Sequence, residues 1–286
     1  MRIVVIGAKG MLGRELCSTL NPKHEVTAWD IEEIDITDRQ MTLQKIRNLK
    51  PDLILNSAAF VNVDRCETDP DAAWRINALG SQNLALAAQE IGGQLLYIST
   101  DYVFDGESSV DYDEVAQTNP INHYGRSKLA GERMATQICP RTYIVRTSWL
   151  IGHHPNSYVN RVLKAAQRDG IVRMAPDQIE SPTYTRDLTQ AISILIETGA
   201  YGCYHVTSLG ACTRLEFAHF VLEQAGYTTP VEAADISQIK RIARRPNRTV
   251  LDCRLFQILT GHQLPNWQVG IQSYFARERE QGGTAV

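Results

Sequence analysis

The sequence predicts an α/β fold: a doubly wound parallel sheet followed by a smaller C-terminal lobe. Three observations predict it. Strand-like and helix-like runs alternate through the first 150 residues, and such a β-α-β alternation forms a parallel sheet with right-handed crossovers. The first strand runs straight into a glycine-rich turn, GAKGMLG at 7–13, at the head of a helix. After about Trp149 the rhythm weakens into helical stretches separated by Pro- and Arg-containing loops, which marks a second unit.

The elements read in order as follows. Residues 2–6 (RIVVI) are a short β-branched run, suited to a strand buried on both faces. A helix is expected over 11–20, a strand over 25–29 and a helix over 39–49. The break at Lys50-Pro51 starts a third strand, DLILN at 52–56. An Ala- and Leu-rich stretch predicts one long helix over 72–90, and QLLYIS at 94–99 predicts a strand. Residues 123–138 read as a helix stopped before Pro140, and 143–147 as a strand. Helices are expected over 157–169 and 185–198, a buried strand over 203–207, then helices over 215–225 and 255–260. The polar tail after about Arg277 is expected to fray. The sheet domain therefore takes 1–150 and recovers about 187–210. The rest, about 151–186 and 211–286, forms the lobe over the carboxyl edge of the sheet, where ligands of open α/β sheets bind.

Composition narrows the function. The chain has 286 residues, 43% of them hydrophobic and 21% charged, enough for a sizeable core. A formal net charge of -3 gives no electrostatic reason to expect a nucleic-acid or membrane partner. The apolar runs are too short to span a bilayer. MRIVVIGAKG enters a strand pattern with no cleavage signal, so a cytoplasmic location is expected. The six cysteines form no CxxC pair and lack zinc-ligand spacing, so they read as scattered reduced thiols, and no metal site is assigned.

Gly7, Gly10 and Gly13 fall at the first strand-to-helix turn with GxxGxxG spacing. There the first glycine permits the tight turn, the second lets backbone approach a pyrophosphate, and the third allows close helix–strand packing. The helix that follows offers free N–H groups and partial positive charge. This is a Rossmann-type dinucleotide site. Asp30 ends the second strand, where a carboxylate accepts from a ribose 2′-OH and favours NADH. Lys9 and Arg14 lie near enough to meet a 2′-phosphate, which leaves NADPH open. Asp35 and Ile36 would flank the adenine. The small residues Ala58 and Ala59 follow the third strand and let backbone pass along the cofactor.

Tyr124 and Lys128 form YxxxK, and on a helix i and i+4 share a face. A neighbouring ammonium would lower the phenol pKa toward the working range. About two dozen residues upstream, Thr100 (or Ser99) at a central strand end could hold the substrate oxygen against Tyr124. Beside it stands Asp101. Arg244, Arg245 and Asn247 are diphosphate candidates, because guanidinium forks match phosphate oxygens.

With these motifs in register, the chain resembles the dTDP-4-dehydrorhamnose reductase family, an extended branch of the short-chain dehydrogenases/reductases. The likeness runs through GAKGMLGREL, DITD at 35–38, PDLILNSAAF, STDYVFDG, NHYGRSKLAGE, RTSWLIG, SPTYTRDL, RRPNRTVLD and LPNWQVGI. It implies NAD(P)H-dependent reduction of the 4-keto group of a dTDP-linked 6-deoxyhexose, dTDP-4-dehydro-L-rhamnose, to dTDP-L-rhamnose. It implies that Thr100, Tyr124 and Lys128 are catalytic. Gly7, Met11, Leu12, Asp35, Ile36 and the Ala58-Ala59-Phe60 stretch would touch cofactor, Trp149 the sugar, and Asn77 would act as a structural relay. Two positions depart from the family pattern: Lys9 replaces the more usual Asn, and Glu180 stands where Gly precedes Ser-Pro-Thr. Some members pair as homodimers with magnesium at the interface, to which an acid matching Glu15 contributes. No second acidic cluster is visible here, so Mg2+ is left unassigned. Two alternatives stay open: a reductase or epimerase of another nucleotide-linked keto-deoxysugar, and a catalytically silent NADP-binding regulatory subunit.

Overall fold

The structure, a computed structural model, describes residues 1–176, 178–235 and 241–280. The first half runs β1 (Arg2–Ile6), α1 (Met11–Leu20), β2 (Glu25–Trp29), α2 (Arg39–Leu49), β3 (Leu53–Asn56), α3 (Val63–Thr68), α4 (Pro70–Ala73), α5 (Ser81–Ile91), β4 (Gln94–Thr100), α6 (His123–Ile138) and β5 (Thr142–Thr147). The second half runs β6 (Leu150–Ile151), α7 (Tyr158–Asp169), β7 (Val172–Met174), β8 (Ile179–Glu180), β9 (Thr183–Tyr184), α8 (Thr185–Leu195), β10 (Gly202–His205), β11 (Cys212–Thr213), α9 (Arg214–Gln224), β12 (Val231–Ala233), α10 (Arg254–Thr260) and α11 (Trp267–Glu280).

Six strands form one parallel sheet in the order β10-β5-β4-β3-β1-β2. Alternation along β1 splits the core into two layers. Ile3 and Val5 pack with Leu12, Leu16 and Leu20 of α1 and with Leu188, Ile192 and Leu195 of α8. Val4 and Ile6 pack on the other face with Ile46 of α2, Leu84 and Ala88 of α5, and Ala135 of α6. The chain reverses direction across the sheet at β1, whose neighbours are β2 and β3. That reversal opens a crevice at the carboxyl ends of β1 and β3. A third core joins Val159 and Val162 of α7, Phe217 and Val221 of α9, and Trp267, Ile271 and Tyr274 of α11.

Several expectations are corrected. The single helix over 72–90 is interrupted by a π-helical segment, Trp74–Gly80, between α4 and α5. Its Asn77 side chain reaches across to other elements, and a widened turn aims it there. Two helices were not foreseen: α3, too short for a periodic signal, and α11, whose aromatics fill the lobe core. Phe256 of α10 and Leu264 pack into the sheet core. The helix over 185–198 ends at Leu195, and the strand over 203–207 ends at His205. The start of the tail expected to fray is helical: α11 continues to Glu280, and Arg277 donates to Glu15 at 2.8 and 2.9 Å. The last stretch of that tail, 281–286, lies outside the described residues. Among the described residues no helix is long and apolar enough to cross a membrane.

Candidate active site

The glycine turn is built as its spacing requires. Gly7 has φ 79°, and a Cβ there would lie 2.7 Å from the Ala58 nitrogen, so only glycine lets the turn close against the strand beside it. A Cβ on Gly13 would lie 2.1 Å from the Gly7 carbonyl oxygen, which fixes how closely α1 approaches the turn. Gly10 caps α1 with extended backbone and no side chain, so its surroundings stay open. The first turn of α1 thus presents unpaired N–H groups to the crevice.

A cavity of about 660 Å³ runs from this turn along the β2 end, lined by Gly7, Lys9, Gly10, Asp30, Asp35, Ile36, Ser57, Ala58 and Ala59. Asp30 stands at the β2 end of this cavity. Its carboxylate already accepts from the backbone of Lys9 (2.7 Å) and Ile31 (2.9 Å), so it also holds the loop. The two cations credited with meeting a 2′-phosphate are engaged. Lys9 pairs with Glu32 at 2.9 Å, which raises its pKa, and Arg14 Nε donates to the Lys9 carbonyl at 2.9 Å. Arg75, on the π-helical segment, lines the same cavity and went unnoticed in the sequence.

A second cavity, about 500 Å³, shares Gly10, Ser57 and Ala59 with the first. Its wall brings together Met11, Leu12, Gly13, Thr100, Asp101, Tyr124, Lys128 and Trp149. Tyr124 and Lys128 come from the first turns of α6, which Asn122 caps by accepting from the Gly125 N–H at 2.8 Å. Thr100 ends β4; its hydroxyl donates to Asp101 at 3.0 Å and accepts from the Tyr102 N–H at 3.2 Å. Lys128 Nζ donates to the Ile98 carbonyl at 2.6 Å and lies 4.0 Å from the Tyr97 ring centroid. Phe60 lines neither cavity. Its backbone is clamped by Asn77, which accepts from the Phe60 N–H (2.8 Å) and donates to its carbonyl (3.1 Å) and to Ser127 (3.0 Å). Asn77 thereby ties the loop after β3 to α6.

Burial reverses the electrostatics expected from YxxxK. It pushes the Tyr124 phenol upward; the Thr100 hydroxyl works against this, while the Asp101 charge adds to it. It pushes Lys128 down to about 7, with the Glu132 carboxylate opposing. The phenol therefore stays protonated at neutral pH, the form a proton donor needs. Asp101, 2% exposed, accepts from Thr100, from Ser148 at 2.9 Å and from Thr249. Burial and the Glu180 charge hold its pKa well above the usual carboxylate range.

The C-terminal lobe completes the wall with Glu180 and Arg214. Arg214 went unnoticed in the sequence, because a single arginine at a helix start carries no spacing signal. Trp149 has φ 39°, a left-handed conformation that is costly for a bulky residue and clusters at functional sites. Of the diphosphate candidates, Arg244 and Asn247 are exposed and line neither cavity. The Arg244 carbonyl accepts from Asn122 at 3.0 Å, and Arg245 pairs with Asp64 at 3.0 Å. Glu15 is taken by Arg277, and among the described residues no group of three or more His, Cys, Asp or Glu could hold a metal. All six cysteines are free.

The turn that a Cβ would fill at Gly7, the open Gly10 cap and the acid at the β2 end suit a dinucleotide. The comparisons with known proteins agree. A family model described as "RmlD substrate binding domain" matches residues 1–280. A dTDP-4-dehydrorhamnose reductase of Aggregatibacter actinomycetemcomitans is 35% identical over 95% of this chain and 97% of its own. Among solved structures, a dTDP-4-dehydrorhamnose reductase of Clostridium acetobutylicum superposes with a TM-score of 0.95 at 34% identity, covering 98% of this chain and 100% of that one. Another from Bacillus anthracis, in complex with NADP, gives 0.94 at 36% identity, covering 96% and 99%.

Proposed function

The chain belongs to the dTDP-4-dehydrorhamnose reductase family, and on that premise we propose that it reduces the 4-keto group of dTDP-4-dehydro-L-rhamnose to dTDP-L-rhamnose with NAD(P)H. One observation carries the reading: the Thr100, Tyr124 and Lys128 side chains line a cavity that shares Gly10, Ser57 and Ala59 with the dinucleotide cleft. Residues 1–150 with about 187–210 would bind the cofactor, and about 151–186 with 211–286 the nucleotide sugar.

A reduced nicotinamide, when bound, supplies a hydride to the C4 carbonyl carbon. Thr100 holds the carbonyl oxygen once its hydroxyl proton turns from Asp101 to the substrate, and Tyr124 delivers its phenolic proton to the oxygen as negative charge develops there. Lys128, buried one helical turn on, orients the ribose hydroxyls. Trp149, in the same wall, contacts the sugar.

The test follows NAD(P)H absorbance with and without the dTDP-linked keto-sugar, and NMR reads the configuration of the new alcohol. Tyr124→Phe is expected to lower turnover by about 100-fold or more while leaving cofactor affinity, by fluorescence titration, nearly unchanged. Turnover within a few-fold of wild type would remove Tyr124 from the mechanism. A product of the other configuration at C4 would assign the chain to a sister reductase.

A further inference from the structure

The cleft that runs from the glycine turn to the β2 end is rich in acid. Asp30 and Asp35 line it, and Glu32 and Glu33 stand in the same loop. Each of these carboxylates already has a donor. Asp30 accepts from the Lys9 and Ile31 N–H groups, and Asp35 accepts from the Thr37 N–H at 2.9 Å and from its hydroxyl at 2.7 Å. Glu33 accepts from the Asp30 N–H at 2.8 Å, and Glu32 pairs with Lys9. Lys9 and Arg75 are the cations of the lining among the described residues. Lys9 is taken by Glu32. Arg75 is exposed, and among the described residues its side chain makes no hydrogen bond and no ion pair.

The backbone that carries Arg75 is firmly held. It belongs to the π-helical segment Trp74–Gly80, and such wider turns recur at functional sites. Two residues on, Asn77 is buried and bonded to Phe60 and Ser127. The Ile76 side chain packs against the core beneath the sheet. At the end of the segment a Cβ on Gly80 would lie 2.7 Å from the Ile36 side chain, and Asn83 donates to the Ile36 carbonyl at 2.9 Å. The segment is thereby locked to the loop that bears Asp35. The result is a cation with free donors, fixed at its root, in the wall of an acidic cleft.

A nicotinamide dinucleotide carries a pyrophosphate in either form, and a 2′-phosphate only when it is NADP. The N–H groups at the start of α1 suit the pyrophosphate. They leave the 2′-phosphate without a donor and opposed by the acids of the 30–35 loop. A guanidinium fork matches phosphate oxygens and carries the charge that this loop lacks. We propose that Arg75 binds the 2′-phosphate of NADPH and so admits the phosphorylated cofactor to a cleft whose carboxylates oppose it. The assignment rests on the dinucleotide reading of the cleft and is independent of which sugar is reduced.

Fluorescence titration of wild type, Arg75→Met and Arg75→Lys with NADPH and NADH, without any sugar, tests it. Arg75→Met is expected to weaken NADPH by about 10-fold and to leave NADH within about 2-fold of wild type. Arg75→Lys, which keeps the charge and loses the fork, is expected to fall between the two. Adenosine 2′,5′-bisphosphate and 5′-AMP, used as competitors, repeat the comparison without the nicotinamide. A shift of the NADPH to NADH affinity ratio toward NADH by about 3-fold or more in Arg75→Met supports the proposal. A smaller shift overturns it, as do equal losses of both cofactors, which would place the guanidinium on a part that they share. If wild type binds neither cofactor, the dinucleotide reading fails and the Arg75 assignment with it. Binding of both with an unmoved ratio sinks the Arg75 assignment alone.

Discussion

Asp30 shows how one side chain serves two demands. It lines the cleft at the end of β2, and its carboxylate also accepts from the Lys9 and Ile31 N–H groups that shape the loop. A carboxylate there repels a 2′-phosphate, while Lys9 is held by Glu32 and only partly offsets it. Exposed charges are screened, so neither preference should dominate, and kcat/KM for NADPH and NADH is expected to agree within about 30-fold. Asp30→Ala should move the ratio toward NADPH while weakening both cofactors through the loosened loop. Steady-state kinetics with both cofactors decide it. An unchanged ratio would leave Asp30 as a loop brace only, and a wild-type preference beyond about 1000-fold would show that the balance is misjudged.

The first turn and α1 separate two glycine roles that look alike in sequence. At Gly13 an added Cβ meets backbone at 2.1 Å, which no rotamer change can relieve. At Gly10 the nearest atom to an added Cβ is the Gly7 oxygen at 3.2 Å, and the rest of the side chain would project into the cleft. Gly13→Ala is therefore expected to cost about 1–3 kcal/mol of stability. Gly10→Val should keep the fold and weaken cofactor binding. Thermal melts paired with cofactor titration distinguish these effects. A Gly10→Val variant with wild-type affinity would contradict the phosphate-turn reading.

A buried polar network joins the sheet to α6 at the scale of the whole molecule. Glu132 of α6 accepts from Ser99 at the end of β4 and from Arg146 of β5, at 3.0 and 2.7 Å. Arg146 lies 3.4 Å from His205 of β10, whose Nδ1 meets the Tyr112 carbonyl at 2.9 Å. Burial and then the Arg146 charge push His205 down to about 3. The unfolded chain titrates that imidazole near 6.5, so between about pH 6.5 and 3 the unfolded state binds more protons. Stability from this group falls as pH drops through that window, by at most about 1.4 kcal/mol per pH unit. Urea unfolding of wild type and His205→Gln at pH 7 and 5 tests it. Wild type should lose up to about 2 kcal/mol more than the variant over that step. Equal losses would mean that His205 is protonated in the fold without penalty.

The sequence by itself determined the parallel sheet and the glycine turn, and it singled out Thr100, Tyr124 and Lys128, which the fold brings to one cavity. Strand periodicity, turn glycines and helix spacing are local properties of the chain, and Gly7, Thr100, Tyr124 and Lys128 are each placed by one such rule. The π-helical segment was not legible, since an Ala- and Leu-rich run satisfies a straight helix equally well and only the bonds from Asn77 to Phe60 and Ser127 select the wider turn. Nor were the directions of the Tyr124 and Lys128 shifts, because burial depends on what packs over α6 from distant parts of the chain. The partner of Glu180 was hidden for the same reason. Arg214 lies 34 residues away in sequence, and only the antiparallel pairing of β8 with β11 brings the two charges into contact.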